Sequence, residues 1–508
     1  MANYIIAHDL GTTGNKATLY DREGALVGAS FYAYHTEYAH TGWAEQNPED
    51  WWQAVCLSTR RLLGETGVSS DDIACITFSG QMMGAVPLDR DAQPLRSAII
   101  WADQRALEQE RWIGQRLSFE EVYRITGHRL SVSYSLAKIL WIRDNQPDIY
   151  RDTFKFVHAK DCIVARLTGA FVTDPSDASS MNLYDLEAGA WSGDILDAVE
   201  LPADKLPQAR LSTDVVGEVQ SSVAAEVGVA AGTPVVIGGG DGACAAAGAG
   251  VIAAGSAYNY VGSSSWIALS TPEPIYDPDY RTFTFGHVIP DMFMPTGTMQ
   301  AAGASYQWTR DQLSLFEKET AERLGISPYE LINLEIEQVA PGAEGLFFLP
   351  YLMGERSPRW NPLARGAFVG LTIRHSRAHL YRAVLEGVTM NLRVILDAFR
   401  AQGTSIEAMR LIGGGASGRV WNQIMADVYG MPVQRLAILE EATSMGAALV
   451  GGVGVGLYPG FDLIHQMNAV AATVQPDPAA QAAYERMMPV FEKLYTALEP
   501  VYDDIAAL

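Results

Sequence analysis

Four cysteines in 508 residues, Cys56, Cys75, Cys162 and Cys244, are too few and too scattered for a disulfide framework or a C-x-x-C metal site, which predicts a reducing cytoplasm. Basic residues are also scarce: 36 Lys and Arg against 59 Asp and Glu leave a formal charge of −23. Such a field repels nucleic acids and anionic membrane surfaces, and no basic DNA-reading helix offsets it. Long apolar runs are missing. The longest stretch of low charge, 242–261, is mostly Gly, Ala and Ser and reads as packed interior rather than a membrane span. The opening MANYIIAHDL carries no charged leader or cleavage signal, and none of the nine histidines forms H-E-x-x-H.

What is present is apolar material for more than one core. Hydrophobic residues make up 48% and charged residues 19% of the chain, and the length suggests roughly two or three domains. Tyr4 to Ala7, Lys16 to Tyr20 and Ala25 to Tyr34 read as three strands of an antiparallel meander, broken at GTTGN and DREG. NPEDWWQAVCLSTRRLL reads as a helix capped by Asn47, with Pro48 in its first turn. Asp72 to Gly80 reads as a buried strand and VPLDRDAQPLRSAIIW as a second hairpin; Trp51 and Trp52 read as core. Near Ala231 the pattern restarts with strand, GGGDG turn and small-residue helix, then the hairpin around VGSSS. Two glycine-bearing hairpins about 250 residues apart suggest a duplicated architecture with a nucleotide between the halves. MRLIGGGASGRVWNQIMADVYG is strand, glycine turn and helix, closed by Gly430.

Several of these turns can do chemistry. In DLGTTG, backbone amides and the Thr12 and Thr13 hydroxyls can approach a phosphate, Asp9 can hold magnesium and Lys16 can lie near an anion. An anion must be captured by such local devices against the global field. Asp241 either caps a helix beginning near Ala243 or acts as the base for a hydroxyl nucleophile. GGGASG lacks the G-x-G-x-x-G spacing and reads as a platform for an adenine or ribose. Arg356, Arg359 and Arg365 read as a loop held by ion pairs rather than a phosphate clamp.

The ordered set IIAHDLGTTG, FSGQMMGAV, IIWADQR, SYSLAKILW, VVIGGGDGACAAAG, YVGSSSW, GTMQAAGASYQW, LFFLPYLMGERSP, GAFVGLTIRHSRAHLYRAVLEG and LIGGGASGRVWNQIMADV resembles the FGGY carbohydrate kinases along nearly the whole chain. Within that family it is most similar to the xylulokinases. The resemblance implies an α/β protein of two actin-like, ribonuclease-H-like lobes, 1–248 and 249–508, with sugar in the cleft and ATP across it. It implies Asp241 as catalytic base and Asp9 as the magnesium residue. Thr12, Thr13, Lys16, Gly262, Ser263, Ser264, Gly303, Gln307, Gly414, Gly415, Ala416 and Asn422 fall on the nucleotide segments. Gln81, Met82, Met83, Trp101, Asp103 and Arg105 fall, with Asp241, on the sugar segments. The implied partners are ATP with Mg2+ and a ketopentose, D-xylulose first, giving the 5-phosphate. Another ketose, a polyol or a sugar acid is the alternative, and an actin-like ATPase the more distant one; a homodimer is compatible with the sequence. Xylulokinases usually read GQMHG, WNDGR and GGGDN. Met83, Ala102 and Gly242 stand here instead, each removing a polar side chain near the sugar.

Overall fold

The computed structural model describes residues 2–508. Its framework is two mixed sheets. The first runs β1 (Tyr4–Leu10), β2 (Gly14–Asp21), β3 (Leu26–Ala33), β4 (Ile73–Gly80), β5 (Val215–Glu218) and β6 (Pro234–Gly240), in the spatial order β5-β6-β4-β1-β2-β3. β1, β2 and β3 form the expected antiparallel meander, and β4 and β6 add parallel to it. The second comprises β7 (Ala257–Val261), β8 (Ser265–Leu269), β9 (Phe283–Gly286), β10 (Phe293–Met299), β11 (Met409–Ile412), β12 (Val433–Leu436) and β13 (Val470–Val474), in the order β9-β10-β8-β7-β11-β12-β13. Here too an antiparallel set, β7-β8-β10, is extended by two parallel strands and an antiparallel edge. The duplication suggested by two hairpins is thus one of whole sheets, and the architecture is the two-lobed, actin-like one.

Local chemistry explains the elements. Helix α1 (Pro48–Thr66) starts where Asn47 accepts a hydrogen bond from the Glu49 amide and stops at Gly67 in the left-handed region. Trp51 and Trp52 on it are buried. One expected hairpin is different. Around DRDAQ the chain turns back on itself, the Leu95 amide donating to the Pro87 carbonyl and the Asp89 amide to that of Gln93, and beyond the turn only the Ala85–Ile99 bridge joins the two arms. Val86–Leu88 instead pairs with Lys155–Val157, and Ala98–Ile99 with Glu45–Gln46, because those distant segments offer the apolar cover that a polar DRDAQ turn cannot.

Two helices cross between the lobes. α2 (Asp241–Gly248) leaves β6 of the first sheet and leads to β7 of the second. With α3 (Arg377–Ala401) and α4 (Arg419–Tyr429) between them in sequence, α5 (Ala442–Gly454) follows β12 of the second sheet yet packs on β1 and β4 of the first, and against α2. The contact is backbone to backbone: a Cβ at Gly446 would overlap the Cys244 carbonyl, and one at Gly248 the Ala442 carbonyl. The Gly/Ala composition that is too weak for a membrane is what lets these helices touch. Among the described residues no helix is long and apolar enough to cross a bilayer.

Gly446→Ala should therefore lower the melting temperature through overpacking of about 1–3 kcal/mol. Gly64→Ala, on the exposed side of α1 with nothing within 4 Å of the added methyl, should raise it slightly, by about 0.5–1 kcal/mol. Calorimetry of the two variants checks the opposite signs.

Candidate active site

Parallel strands β1, β4 and β6 end side by side, and the register sets Asp9 beside Ser79, and Ser79 beside Gly239. Open α/β sheets present ligands with such strand ends. Asp9 accepts a hydrogen bond from Ser79 Oγ at 3.1 Å. Asp241 follows immediately on β6. It is not the cap that its position suggested: Gly240 is the N-cap, and Asp241 is the first residue of α2. Its carboxylate accepts from the Gly242 amide at 2.7 Å. Burial, then the charge of Asp9, push the Asp241 carboxyl up to about 7, against the Gly242 bond. Asp9 is likewise raised, by burial first, despite Ser79 and Lys16. Lys16 itself reaches across to Glu441 at 3.5 Å.

A buried charge cluster fixes this corner. The Lys160 ammonium contacts Asp161, Asp174 and Asp177 at 2.7, 2.9 and 3.1 Å. Burial pulls its pKa down, but the three carboxylates hold it well above the usual lysine value. Asp174 accepts from Ser212 Oγ at 2.8 Å and Ser176 Oγ at 2.5 Å, and Ser176 Oγ accepts from the Gly240 amide at 2.9 Å. The chain of bonds therefore ends one residue before Asp241. On the other side Lys160 packs against Gly80, where an added Cβ would lie 3.1 Å from its side chain. His158, Asp161 and Asp177 have metal-ligand proximity, but the ammonium already bonds both carboxylates.

The expected sugar segment divides in two. Met82 lies beneath Gly240, 2.7 Å from where a Cβ would be. Met83 sits in the left-handed region, at φ 65°. Its amide donates to Ser180 Oγ at 3.2 Å, and its carbonyl accepts from the buried Lys138 ammonium at 3.0 Å. Lys138 also bonds the Ser133 and Tyr134 carbonyls, so it clamps two loops together, and burial lowers its pKa to about 7. Trp101, 39% exposed, donates from Nε1 to Thr12 Oγ1 at 2.9 Å. Asp103 and Arg105 correct the expectation. They are buried and paired, Arg105 with Asp103 at 2.7 Å and with Glu45 at 2.6 Å, while Asp103 accepts the Ala44 amide. Their charges close the wall behind the site rather than present free atoms to a ligand. Gln81 is also buried, its amide donating to Gln46.

Across the cleft a pocket of about 620 Å³ gathers Gly262, Ser263, Gly303, Gln307, Gly414 and Gly415 from three distant segments. Gly303 is obligatory, since a Cβ there would overlap the Gly262 carbonyl. Ala416 and Asn422 are behind this wall: Ala416 is fully buried, and Asn422 Nδ2 donates to the Ala416 carbonyl at 2.8 Å. Thr13, Lys16 and Ser264 do not line the pocket. Sequence reasoning missed its aromatic walls, Tyr260, Tyr306, Tyr329 and Trp421; the Tyr and Trp of GASYQW and GRVWNQ were the available signal. Tyr260 links pocket and carboxylates, because burial, Asp241 and Asp9 in that order raise its hydroxyl. A larger groove, about 1130 Å³, between residues 337–341 and 474–483 is lined by none of the predicted site residues.

The carboxylate shift gives a test. The folded-state value of Asp241 lies above the ordinary one, so the folded chain holds a proton that the unfolded chain has lost, and stability falls as pH rises between about 4 and 7. Asp241→Asn removes that cost. It should melt a few degrees above the parent at pH 8 and show a smaller advantage at pH 5.5; an advantage that does not grow with pH contradicts the assignment.

Comparison with known proteins follows the same outline. A model of the FGGY family of carbohydrate kinases, N-terminal domain, matches residues 4–248, and one of the C-terminal domain matches residues 257–455. The chain is 32% identical to a xylulose kinase of Bacillus subtilis (strain 168), over 97% of each chain. It is 32% identical to a gluconokinase of Bacillus licheniformis over 100% of this chain and 98% of that one. A crystal structure of ligand-bound xylulose kinase from Lactobacillus acidophilus matches with a TM-score of 0.91 at 26% identity, covering 99% of both chains.

Proposed function

The chain belongs to the FGGY family of carbohydrate kinases, and from that premise we propose that it transfers the γ-phosphate of ATP to a terminal hydroxyl of a small open-chain sugar. D-Xylulose, giving D-xylulose 5-phosphate, is the substrate the motifs rank first. Gluconokinases are equally similar, so a sugar acid is the second reading. The observation that carries the kinase proposal is Asp241: a half-buried carboxylate near a nucleotide-sized pocket, following the end of a parallel strand, with its pKa pushed up to about 7.

In this reading the sugar hydroxyl lies against Asp241, which orients it and takes its proton as the phosphoryl group arrives. A loose transition state asks for little advance activation, so the gain is in positioning and in having a base poised near the working pH. Lys160 acts through Ser176 and Gly240 to hold that carboxylate in place. The amides of the Gly11–Gly14 and Gly262–Ser264 turns offer donors to phosphate oxygens, and Thr12 adds a hydroxyl. Adenine has the aromatic pocket beyond Gly262, with Gly414 and Gly415 as its floor. Two half-buried carboxylates, Asp9 and Asp241, with no lysine, arginine or histidine within ion-pair distance among the described residues, form a hard-oxygen donor set that fits magnesium, with Asp9 the residue to hold it. Magnesium supplies charge neutralisation on the transferred phosphoryl group.

Asp241→Asn should fold and bind ATP with unchanged affinity yet lose turnover by about 100- to 10,000-fold. Coupled ADP release measured with D-xylulose, D-ribulose, D-gluconate and xylitol reads this directly. Near wild-type turnover in the folded variant would remove Asp241 from the chemistry.

A further inference from the structure

Tyrosines in a packed wall usually engage the hydroxyl as well as the ring. Tyr258 and Tyr260 lie two residues apart on β7, and so on one face of it, but only the first follows that habit. The Tyr258 hydroxyl accepts from Trp266 Nε1 at 2.7 Å and donates to the Gly242 carbonyl at 3.0 Å, one residue past Asp241. The Tyr260 ring is held as firmly. It stacks on the Trp266 indole with centroids 4.0 Å apart and planes 14° from parallel. A Cβ added to Gly262 would stand 2.5 Å from its Cε1 and 2.8 Å from its hydroxyl oxygen, and one added to Gly413 would stand 3.1 Å from its Cε2. Tyr260 is half-buried, yet its hydroxyl has no hydrogen-bond partner among the described residues.

Three neighbours define where that hydroxyl stands. It overhangs the Gly262–Ser264 turn, whose three carbonyls each already accept a backbone amide. Tyr260 also borders the nucleotide-sized pocket. Across the cleft, Asp241 and Asp9 are near enough that, after burial, their charges raise its pKa, but neither carboxylate bonds it. The phenol therefore keeps its proton across the working pH range and is a fixed donor at the meeting point of pocket, turn and carboxylates. A terminal phosphate that reaches from the pocket to a hydroxyl held at Asp241 passes through that point.

Resting on the kinase reading above, we infer that Tyr260 is a further catalytic residue, its hydroxyl donating a hydrogen bond to the phosphoryl group in transit from ATP to the sugar. The phenol gives up no proton. The sugar hydroxyl's proton goes to Asp241, the new bond forms between the sugar oxygen and phosphorus, and the bond that breaks leaves its electron pair on ADP. Tyr260 adds a preorganised dipole aimed at oxygens that carry negative charge during the transfer, and the stack on Trp266 keeps it aimed. The nearby carboxylates explain why a neutral donor suits this place. A lysine or arginine here would pair with Asp241 and pull its pKa down, weakening it as a base, whereas a phenol supplies a donor without that charge. Through Trp266 and Tyr258 the same ring is tied to Gly242, so donor and base share one framework.

Tyr260→Phe keeps the ring, its stack and both glycine contacts and removes only the donor. With whichever of D-xylulose and D-gluconate the parent phosphorylates faster, the rate of phosphoryl transfer in a single turnover, read by rapid quench, should fall about 10- to 100-fold, the size of a hydrogen bond to a charged group. The KM for the sugar and the melting temperature should stay at the parent's values. Hydrolysis of ATP without sugar should fall by a similar factor, because the donor serves the phosphoryl group and not its acceptor. ADP, which lacks that group, should bind the variant as tightly as the parent by titration calorimetry. A transfer rate equal to the parent's, a loss confined to the KM for the sugar, or a loss of ADP affinity as large as the loss of rate would each overturn the role of Tyr260 while leaving the kinase reading intact. A parent protein whose ATP turnover no sugar accelerates would instead defeat the kinase reading itself.

Discussion

The arrangement around Asp241 depends on one buried ammonium. Lys160 is surrounded by three carboxylates at 2.7–3.1 Å, and the cluster around it touches both the Gly240–Asp241 turn and the Met82–Met83 turn. Through Asp174 and Ser176 it reaches the Gly240 amide. On the other side His158, 3.5 Å from Asp177, hydrogen-bonds Ser135, whose hydroxyl holds the Gly84 carbonyl at the end of the Met82–Met83 turn. Burial pushes the Asp177 carboxyl well up and lowers His158 to about 4. Removing one partner from such a set leaves an uncompensated buried charge, at a cost of about 3–5 kcal/mol. That is more than a surface ion pair supplies, and it keeps the strand ends in a single geometry.

With the cluster satisfied internally, the charges left over are the ones that act. Asp9 and Asp241 are half-buried at neighbouring strand ends without a bonded cation, and loss of water around them raises both. The helix crossing has a part in this. α2 begins with Asp241 and lies backbone to backbone on α5, so the contact that joins the two sheets starts at that carboxylate.

Much of this was legible in the sequence where the cause is local. The meander of β1–β3 follows from alternating runs broken by glycine turns, α1 from Asn47 and Pro48, and the phosphate turns from residues that must lack a Cβ, such as Gly303. Non-local pairings were not legible. Nothing adjacent in sequence says that Asp103 and Arg105 meet Glu45, that residues 86–88 pair with 155–157, or that α5 lies on the sheet of the other half. Family resemblance implied a sugar-facing role for Asp103 and Arg105, but their side chains are engaged by partners some 60 residues distant. The arginine loop was read as ion-paired because its composition allows it; that Arg356 is left out depends on where Glu492 and Glu355 sit in three dimensions.

The central claim is phosphoryl transfer to a sugar hydroxyl at the edge of the first sheet. Phosphorus NMR of the protein with MgATP and a single open-chain sugar or sugar acid follows both products at once. The account predicts loss of the γ-phosphate signal matched by an equal new phosphomonoester signal, with free phosphate a minor product because the closed site excludes water. Release of inorganic phosphate at a rate indifferent to the sugar, with no phosphomonoester formed from any of them, would contradict it.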